Sequence, residues 1–124
     1  MKTLMVVDDD QQVREMLTLM LRQAGYDVVA VDDGAHVLAA LGEHPADLVL
    51  IDILMPEKEG LGTIREVRAA FPGIRVVAMS GGGVIAADLY LELAKRMGAD
   101  RTIAKPCERA ELLGLIGELL GPAT

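Results

Sequence analysis

Short runs of apolar residues alternate along the chain with longer stretches in which apolar positions follow helical spacing. Apolar residues step by three and four positions from Val13 to Ala24, which predicts an amphipathic helix, and Asp10 is placed to cap it. Further helices are predicted near Gly34–Glu43, Gly60–Ala70, Ala87–Met97 and Arg109–Leu120. The apolar runs have the length of buried strands, and they are Leu4–Val7, Val28–Val31, Leu48–Ile51, Arg75–Met79 and Arg101–Ala104.

The alternation of strands and helices is a (βα)5 pattern. Continuously apolar strands joined by helices predict a parallel sheet covered on both faces, because right-handed crossovers place helices on each side. The expected fold class is therefore α/β, a doubly wound five-stranded parallel sheet in a three-layer sandwich. The flavodoxin-like strand order 2-1-3-4-5 is common for such sheets. We expect one domain over residues 1–120 and a short C-terminal tail over residues 121–124.

Composition and charge exclude several classes of function. A formal net charge of −7 has the wrong sign for binding a phosphate backbone or an anionic membrane, and an aromatic content of 2% leaves few rings to stack on bases. The single cysteine, Cys107, forms no internal disulfide and is interpreted as core filling, whereas His36 and His44 are interpreted as surface residues. The absence of a signal-peptide pattern or a long apolar segment favours a cytoplasmic protein that binds neither nucleic acid nor membrane.

Chemically competent side chains follow four of the predicted strands. Asp8 and Asp9 follow the first strand, Asp52 the third, Ser80 the fourth and Lys105 the fifth. In open parallel sheets, ligands bind outside the carboxyl ends of the strands, where the direction of the connections reverses. The order 2-1-3-4-5 makes strands one and three neighbours at that point. We therefore expect the three aspartates to converge, with Ser80 and Lys105 on the rim.

Three carboxylates in one crevice repel one another, and a cation relieves that repulsion. Oxygen ligands with room for water suit Mg²⁺, which takes further ligands from phosphate groups. Lys105 supplies a positive charge for a phosphoryl group, and the Ser80 hydroxyl supplies a hydrogen bond. Asp52, at the centre, is the predicted nucleophile that forms an aspartyl phosphate.

At these positions the sequence resembles the receiver domains of two-component response regulators, similar to the stand-alone chemotaxis and relay type. The resemblance covers essentially the whole chain and depends on Val6–Asp10, Asp52–Pro56 with Gly60, Ser80-Gly81 and Lys105-Pro106. It implies that Asp52 is the phosphoacceptor in a Mg²⁺-dependent reaction. It also implies that Asp8 and Asp9 are the metal carboxylates and that the backbone carbonyl of Leu54 completes the metal site.

The resemblance further implies how the phosphoryl group is sensed. Ser80, with Gly81 after it, matches the residue that follows the phosphoryl group, and the peptide bond between Lys105 and Pro106 is expected to be cis. The family usually has an aromatic residue at position 102 that swings inward on activation. Thr102 stands there, which favours readout through the glycine loop at residues 81–83.

Partners are implied by the same resemblance. Receivers of this kind accept phosphoryl groups from a sensor histidine kinase or a histidine phosphotransfer protein and signal to a downstream effector protein. Their partner face combines the fourth and fifth helices with the fifth strand. The matching residues are Tyr90, Lys95, Arg96 and Arg109.

Our interpretation is a single-domain response regulator of a phosphorelay that catalyses its own phosphorylation and dephosphorylation and is not a conventional enzyme. Other classes stay open. Asp8 and Asp10 have the carboxylate spacing of Mg²⁺-dependent aspartyl phosphohydrolases of the haloacid-dehalogenase kind, in which Asp8 would be the nucleophile. A flavodoxin-like ligand module and a receiver without phosphorylation switching are the further alternatives.

Overall fold

The computed structural model describes residues 1–53, 60–81, 92–105 and 107–121. The sequence predictions for Leu54, Tyr90 and Pro106 lie outside the described residues, as do those for residues 82–83 and for the first five residues of the predicted fourth helix. Within the described part of the chain, no helix is both long and apolar enough to span a membrane.

Five strands form one sheet in the order β2-β1-β3-β4-β5, and every neighbouring pair is parallel, which confirms the predicted fold class. The pairing of Val7 with Ile51 aligns the carboxyl ends of β1 and β3, so the residues that follow β1 lie beside the end of β3. The strands are β1 (Thr3–Val7), β2 (Asp27–Val31), β3 (Leu48–Asp52), β4 (Arg75–Gly81) and β5 (Arg101–Lys105).

Helices cover both faces of the sheet. Among the described residues they are α1 (Gln11–Gln23), α2 (Val37–Glu43), α3 (Gly60–Ala70), the described part of α4 (residues 92–97) and α5 (Arg109–Leu120). Successive residues of β3 are buried on opposite sides: Val49 belongs to an apolar cluster with α2, α3 and α4, and Leu50 to a second cluster with α1 and α5. A strand buried on both faces has to be apolar at every position, which is why its sequence shows no alternation.

The predicted element boundaries need small corrections. The second helix begins as a 3-10 turn over Gly34–His36, which the Asp33 side chain caps by accepting a hydrogen bond from the backbone N–H of His36. Strands β4 and β5 are longer than predicted, so Ser80 and Lys105 lie within the last positions of their strands and not after them. The predicted cap of α1 is confirmed: the Asp10 side chain accepts hydrogen bonds from the second and third backbone N–H groups of the helix.

A hydrogen-bond network around Arg68 fastens the amino ends of β4 and β5. The guanidinium of Arg68, on α3, donates to the carbonyls of Gly98 and Ile74 and to the carboxylate of Asp100 at 2.6 Å. The same Asp100 oxygen accepts the backbone N–H of Val76 at 2.7 Å. One arginine therefore joins the end of α3 to the amino ends of β4 and β5, opposite the carboxyl ends of these strands.

Candidate functional site

Three carboxylates meet at the carboxyl ends of β1 and β3. Oxygens of Asp8, Asp9 and Asp52 all lie within 4.8 Å of one another. Asp8 is 1% exposed and Asp52 is 7% exposed, whereas Asp9 is exposed. The cluster thus has two buried walls and one side open to solvent, and it brings together the three aspartates that the strand order predicted.

The turn that carries Asp8 and Asp9 is held by several hydrogen bonds. The backbone N–H of Asp8 donates to the carbonyl of Val31 on β2, and the backbone N–H of Asp10 donates to Asp8 Oδ1 at 2.9 Å. The carbonyl of Asp8 accepts a bond of 2.8 Å from Nη1 of Arg14. Every polar group of Asp8 is therefore satisfied once Lys105 is included.

The Lys105 ammonium lies between the two buried carboxylates. Its Nζ is 2.6 Å from Asp8 Oδ2 and 3.1 Å from Asp52 Oδ2. Burial of the ammonium acts to lower its pKa, but the hydrogen bonds and charges of Asp8 and Asp52 together outweigh it, so the pKa of Lys105 is raised above its ordinary value. Lys105 is consequently a fixed cation of the cluster near neutral pH.

Ser80 is on β4, which lies between β3 and β5, and it is 1% exposed. Its hydroxyl has no hydrogen-bond partner among the described residues. Strand pairing puts Ser80 opposite Ala104 and Gly81 opposite Lys105. A buried hydroxyl without a partner costs free energy, so a state in which it gains a partner is favoured. The Ser80 hydroxyl is thus an available donor at the carboxyl ends of the strands, where the three carboxylates also lie.

Gly60 allows the start of α3 to lie directly on the end of β3. A Cβ atom at this position would come within 2.4 Å of the Ile53 Cα and 2.6 Å of the Asp52 carbonyl oxygen. The backbone N–H of Gly60 donates to the carbonyl of Ile53 at 3.3 Å. Only a glycine fits this close approach of two backbones, which fixes the chain immediately after Asp52.

The remaining predicted residues lie around this centre. Thr102 is half-buried on β5 opposite Ala78, two positions before the residue that pairs with Ser80. Lys95 and Arg96 are exposed on α4, and Arg109 is exposed on α5, where its Nη1 contacts the Gln23 side chain of α1. The three cations are accessible, while their role as a partner face stays a prediction.

Two features were missed by the sequence interpretation. Arg14 was given no role, although a cation four positions after a cluster of aspartates lies one helical turn from them. His36 was interpreted only as a surface residue, and its Nδ1 lies 2.9 Å from Asp33 Oδ1 in a group that includes the exposed Asp32.

The donor set fits Mg²⁺. All three nearby ligand groups are carboxylates, and Mg²⁺ is a hard cation that prefers oxygen ligands. Oxygens around Mg²⁺ stand about 3 to 4 Å apart at the usual bond length, which is compatible with a cluster whose oxygens lie within 4.8 Å of one another. The open side at Asp9 leaves room for the waters or phosphate oxygens that Mg²⁺ usually retains.

Comparison with known proteins agrees with this geometry. The profile of the response regulator receiver domain matches residues 4–117. The transcriptional regulatory protein GltR of Pseudomonas aeruginosa is 36% identical over 124 residues, which cover 96% of this chain and 49% of that protein. The chain thus spans about half the length of the curated relatives it matches.

Solved structures agree as well. A putative response regulator of Chloroflexus aurantiacus has a TM-score of 0.86 and 30% identity, with coverage of 96% of this chain and 97% of that one. The response regulator TrrA of Thermotoga maritima, solved in complex with Mg²⁺-BeF, has a TM-score of 0.85 and 29% identity, with coverage of 97% and 100%. With the matched profile, the strand order and the acidic cluster in agreement, the chain belongs to the response regulator receiver domain family.

Proposed function

We propose that this receiver domain accepts a phosphoryl group on Asp52 in a Mg²⁺-dependent reaction and signals through protein contacts. One observation carries the proposal: three carboxylates lie within 4.8 Å of one another, and the Lys105 ammonium contacts two of them. The structure of TrrA with Mg²⁺-BeF supports the assignment of the cation.

Asp52 is the nucleophile in this proposal. One of its carboxylate oxygens bonds to phosphorus while the bond from phosphorus to the donor, such as the nitrogen of a phosphohistidine, breaks. The bonding electron pair stays with the leaving nitrogen, which then takes a proton from water. Asp8, Asp9 and Asp52 would hold the Mg²⁺ ion, which offsets the charge of the phosphoryl oxygens.

Lys105 and Ser80 act on the phosphoryl group. A phosphoryl group adds a charge of roughly −1.5 to −2, and Lys105 is the cation already fixed beside Asp52. The Ser80 hydroxyl, buried and without a described partner, gains an acceptor when a phosphoryl oxygen is present. Movement of Ser80 toward that oxygen would transmit the modification along β4, which ends at Gly81.

The proposal extends to partners in the same way. Because receiver domains work with histidine kinases, a sensor kinase or a histidine phosphotransfer protein is the proposed donor. A downstream effector is the proposed recipient of the signal, with Lys95, Arg96 and Arg109 on the contact face. Binding of nucleic acid or membrane is not proposed, and a cytoplasmic location stays a prediction from the sequence.

The test is intact mass spectrometry after incubation with Mg²⁺ and acetyl phosphate. The wild type is expected to gain the mass of one phosphoryl group, Asp52→Asn none, and the matched control Asp32→Asn, an exposed carboxylate after β2, the same as the wild type. Chelation of Mg²⁺ should abolish labelling of every form. Labelling of Asp52→Asn at the wild-type level would contradict the proposal.

The same experiment separates the phosphohydrolase alternative. In that reaction Asp8 would be the nucleophile, but both of its carboxylate oxygens already accept hydrogen bonds, from the Asp10 N–H and from Lys105. An adduct that disappears in Asp8→Asn and persists in Asp52→Asn would support the alternative. No adduct on any form would support a receiver that works by binding alone.

A further inference from the structure

We infer that Arg14 is a positioning residue for the metal-binding carboxylates, because its guanidinium holds the β1–α1 turn (residues 8–10) on which Asp8 and Asp9 are carried. The inference rests on the metal site of the proposed function. It concerns a residue outside the acidic cluster that contacts no carboxylate oxygen among the described hydrogen bonds and ion pairs.

Arg14 contacts the turn at two points. Its backbone N–H donates to the carbonyl of Asp10 at 2.9 Å, which is the first hydrogen bond of α1. Its Nη1 donates to the carbonyl of Asp8 at 2.8 Å. The side chain is half-buried, so the second bond is sheltered from competing water, and a hydrogen bond from an ionised donor is stronger than one between neutral groups.

The Asp8 carbonyl matters because it belongs to the peptide group that joins Asp8 to Asp9. A peptide group is planar, so fixing the direction of this carbonyl also fixes the backbone N of Asp9. Asp9 is exposed, and its carboxylate takes part in no hydrogen bond or ion pair with the described residues. The backbone of the turn therefore decides where the Asp9 carboxylate stands relative to Asp8 and Asp52.

Charge and positioning predict opposite effects of removing Arg14. If the guanidinium acted only through its charge, replacing it with a neutral residue would remove a cation near a cation site and would tighten Mg²⁺ binding. If the guanidinium positions the turn, the same replacement leaves the carboxylates of Asp8 and Asp9 less ordered and weakens Mg²⁺ binding. Loss of an outer hydrogen-bond partner of a metal ligand typically costs 10- to 100-fold in metal affinity.

Arg22 is the matched control. It lies two turns later on the same helix, and its Nη2 also donates to a backbone carbonyl, that of Val28, at 3.2 Å. That carbonyl is on β2, away from the turn. Arg14→Gln and Arg22→Gln thus remove the same charge and the same kind of bond from one helix, and they differ in whether the bond reaches the turn.

The experiment measures Mg²⁺ affinity by calorimetry on metal-free wild type, Arg14→Gln and Arg22→Gln. We expect the Kd of Arg14→Gln to rise about tenfold and that of Arg22→Gln to stay within about twofold of wild type. Unchanged or tighter binding by Arg14→Gln overturns the inference, as does equal weakening in both variants. If Arg14→Gln does not fold, Arg14→Met replaces it, since methionine keeps much of the apolar side chain and has no donor: weaker binding supports positioning, and wild-type or tighter binding overturns it.

A second readout does not depend on the metal. In metal-free protein the Asp10 N–H donates to Asp8 Oδ1, so amide hydrogen exchange at Asp10 reports the order of the turn. Exchange there should be faster in Arg14→Gln than in wild type or Arg22→Gln, and equal rates in all three would overturn the inference. A wild type that binds no Mg²⁺ would instead refute the proposed function, while the exchange data would still decide the role of Arg14.

Discussion

Replacing Gly60 with alanine should destabilise the domain at the join between β3 and α3. The added Cβ would lie 2.4 Å from the Cα of Ile53 and 2.6 Å from the Asp52 carbonyl oxygen, about 1 Å short of ordinary contact. Both neighbours are backbone atoms of a buried segment, so no flexible side chain can move aside. Overpacking of this kind costs roughly 1 to 3 kcal/mol, and the rigid surroundings favour the upper part of that range.

Gly62, two residues later in α3, is the matched control. A Cβ atom there meets nothing within 4 Å, and the position is exposed. Alanine is a better helix former than glycine, so Gly62→Ala should stabilise the domain by about 0.5 to 1 kcal/mol. The same chemical change in the same helix is therefore expected to have opposite signs at the two positions.

Urea and thermal unfolding followed by circular dichroism measure both variants. A domain of this size shifts its Tm by about 4 °C per kcal/mol, so Gly60→Ala should melt about 8 to 12 °C below the wild type and Gly62→Ala a few degrees above it. Wild-type stability of Gly60→Ala would refute the reasoning, because it would mean that the α3 start does not lie against the β3 backbone. Loss of stability in both variants would show a general intolerance of α3 to substitution.

Three further results are expected. Asp10→Ala should lose about 1 kcal/mol in urea unfolding through loss of the α1 cap, whereas Asp10→Asn should retain it, and equal losses would contradict the capping role. Lys105→Met should destabilise the metal-free protein by roughly 1 to 3 kcal/mol at pH 7, because Asp8 and Asp52 lose their shared cation. Since the pKa of Lys105 is raised, this difference should be complete from neutral pH up to about pH 10.5, the ordinary value, and should shrink as the pH rises through the higher folded value; a constant difference across that alkaline range would contradict the pairing. Burial and the Glu111 carboxylate raise the pKa of the Cys107 thiol. At pH 8, iodoacetamide should therefore alkylate Cys107 more slowly than it alkylates the thiol of free glutathione, and an equal rate would argue against the partly buried position of Cys107.

The fold was predictable from the sequence because its central strands, such as β1 and β3, are buried on both faces. Leu48–Ile51 cannot alternate in polarity when helices cover each side of the sheet, and this continuous apolar pattern is what the sequence displays. The helix cap at Asp10 was equally predictable, since a capping side chain bonds to backbone N–H groups only two and three residues later in the sequence. The start of the second helix was less so, because the bond from the His36 N–H to Asp33 caps a 3-10 turn there, and a capping aspartate does not distinguish that turn from a regular helix.

The positions of the site residues follow from strand order, but their partners do not. Asp8 and Asp52 had to approach each other once β1 and β3 were neighbours. The Lys105 ammonium was assigned to a phosphoryl group, and in the structure it contacts both carboxylates, a contact between residues 97 positions apart that no local pattern encodes. Arg14 was missed for a related reason: helical spacing gives the direction of a long side chain and not the carbonyl that it reaches.

The Arg68 network and the acidic cluster lie at opposite ends of the sheet. The first is at the amino ends of β4 and β5, and the second is at the carboxyl ends of β1 and β3. The hydrogen bonds of the Arg68 network join α3 to the amino ends of β4 and β5, while the charged groups proposed to bind a metal ion and a phosphoryl group lie at the opposite ends. Both strands are thus held at their amino ends by hydrogen bonds that do not involve the groups at their carboxyl ends. In the proposed reaction, a displacement of Ser80 or Lys105 would begin at the strand ends that Arg68 does not contact, while its hydrogen bonds hold the opposite ends in place.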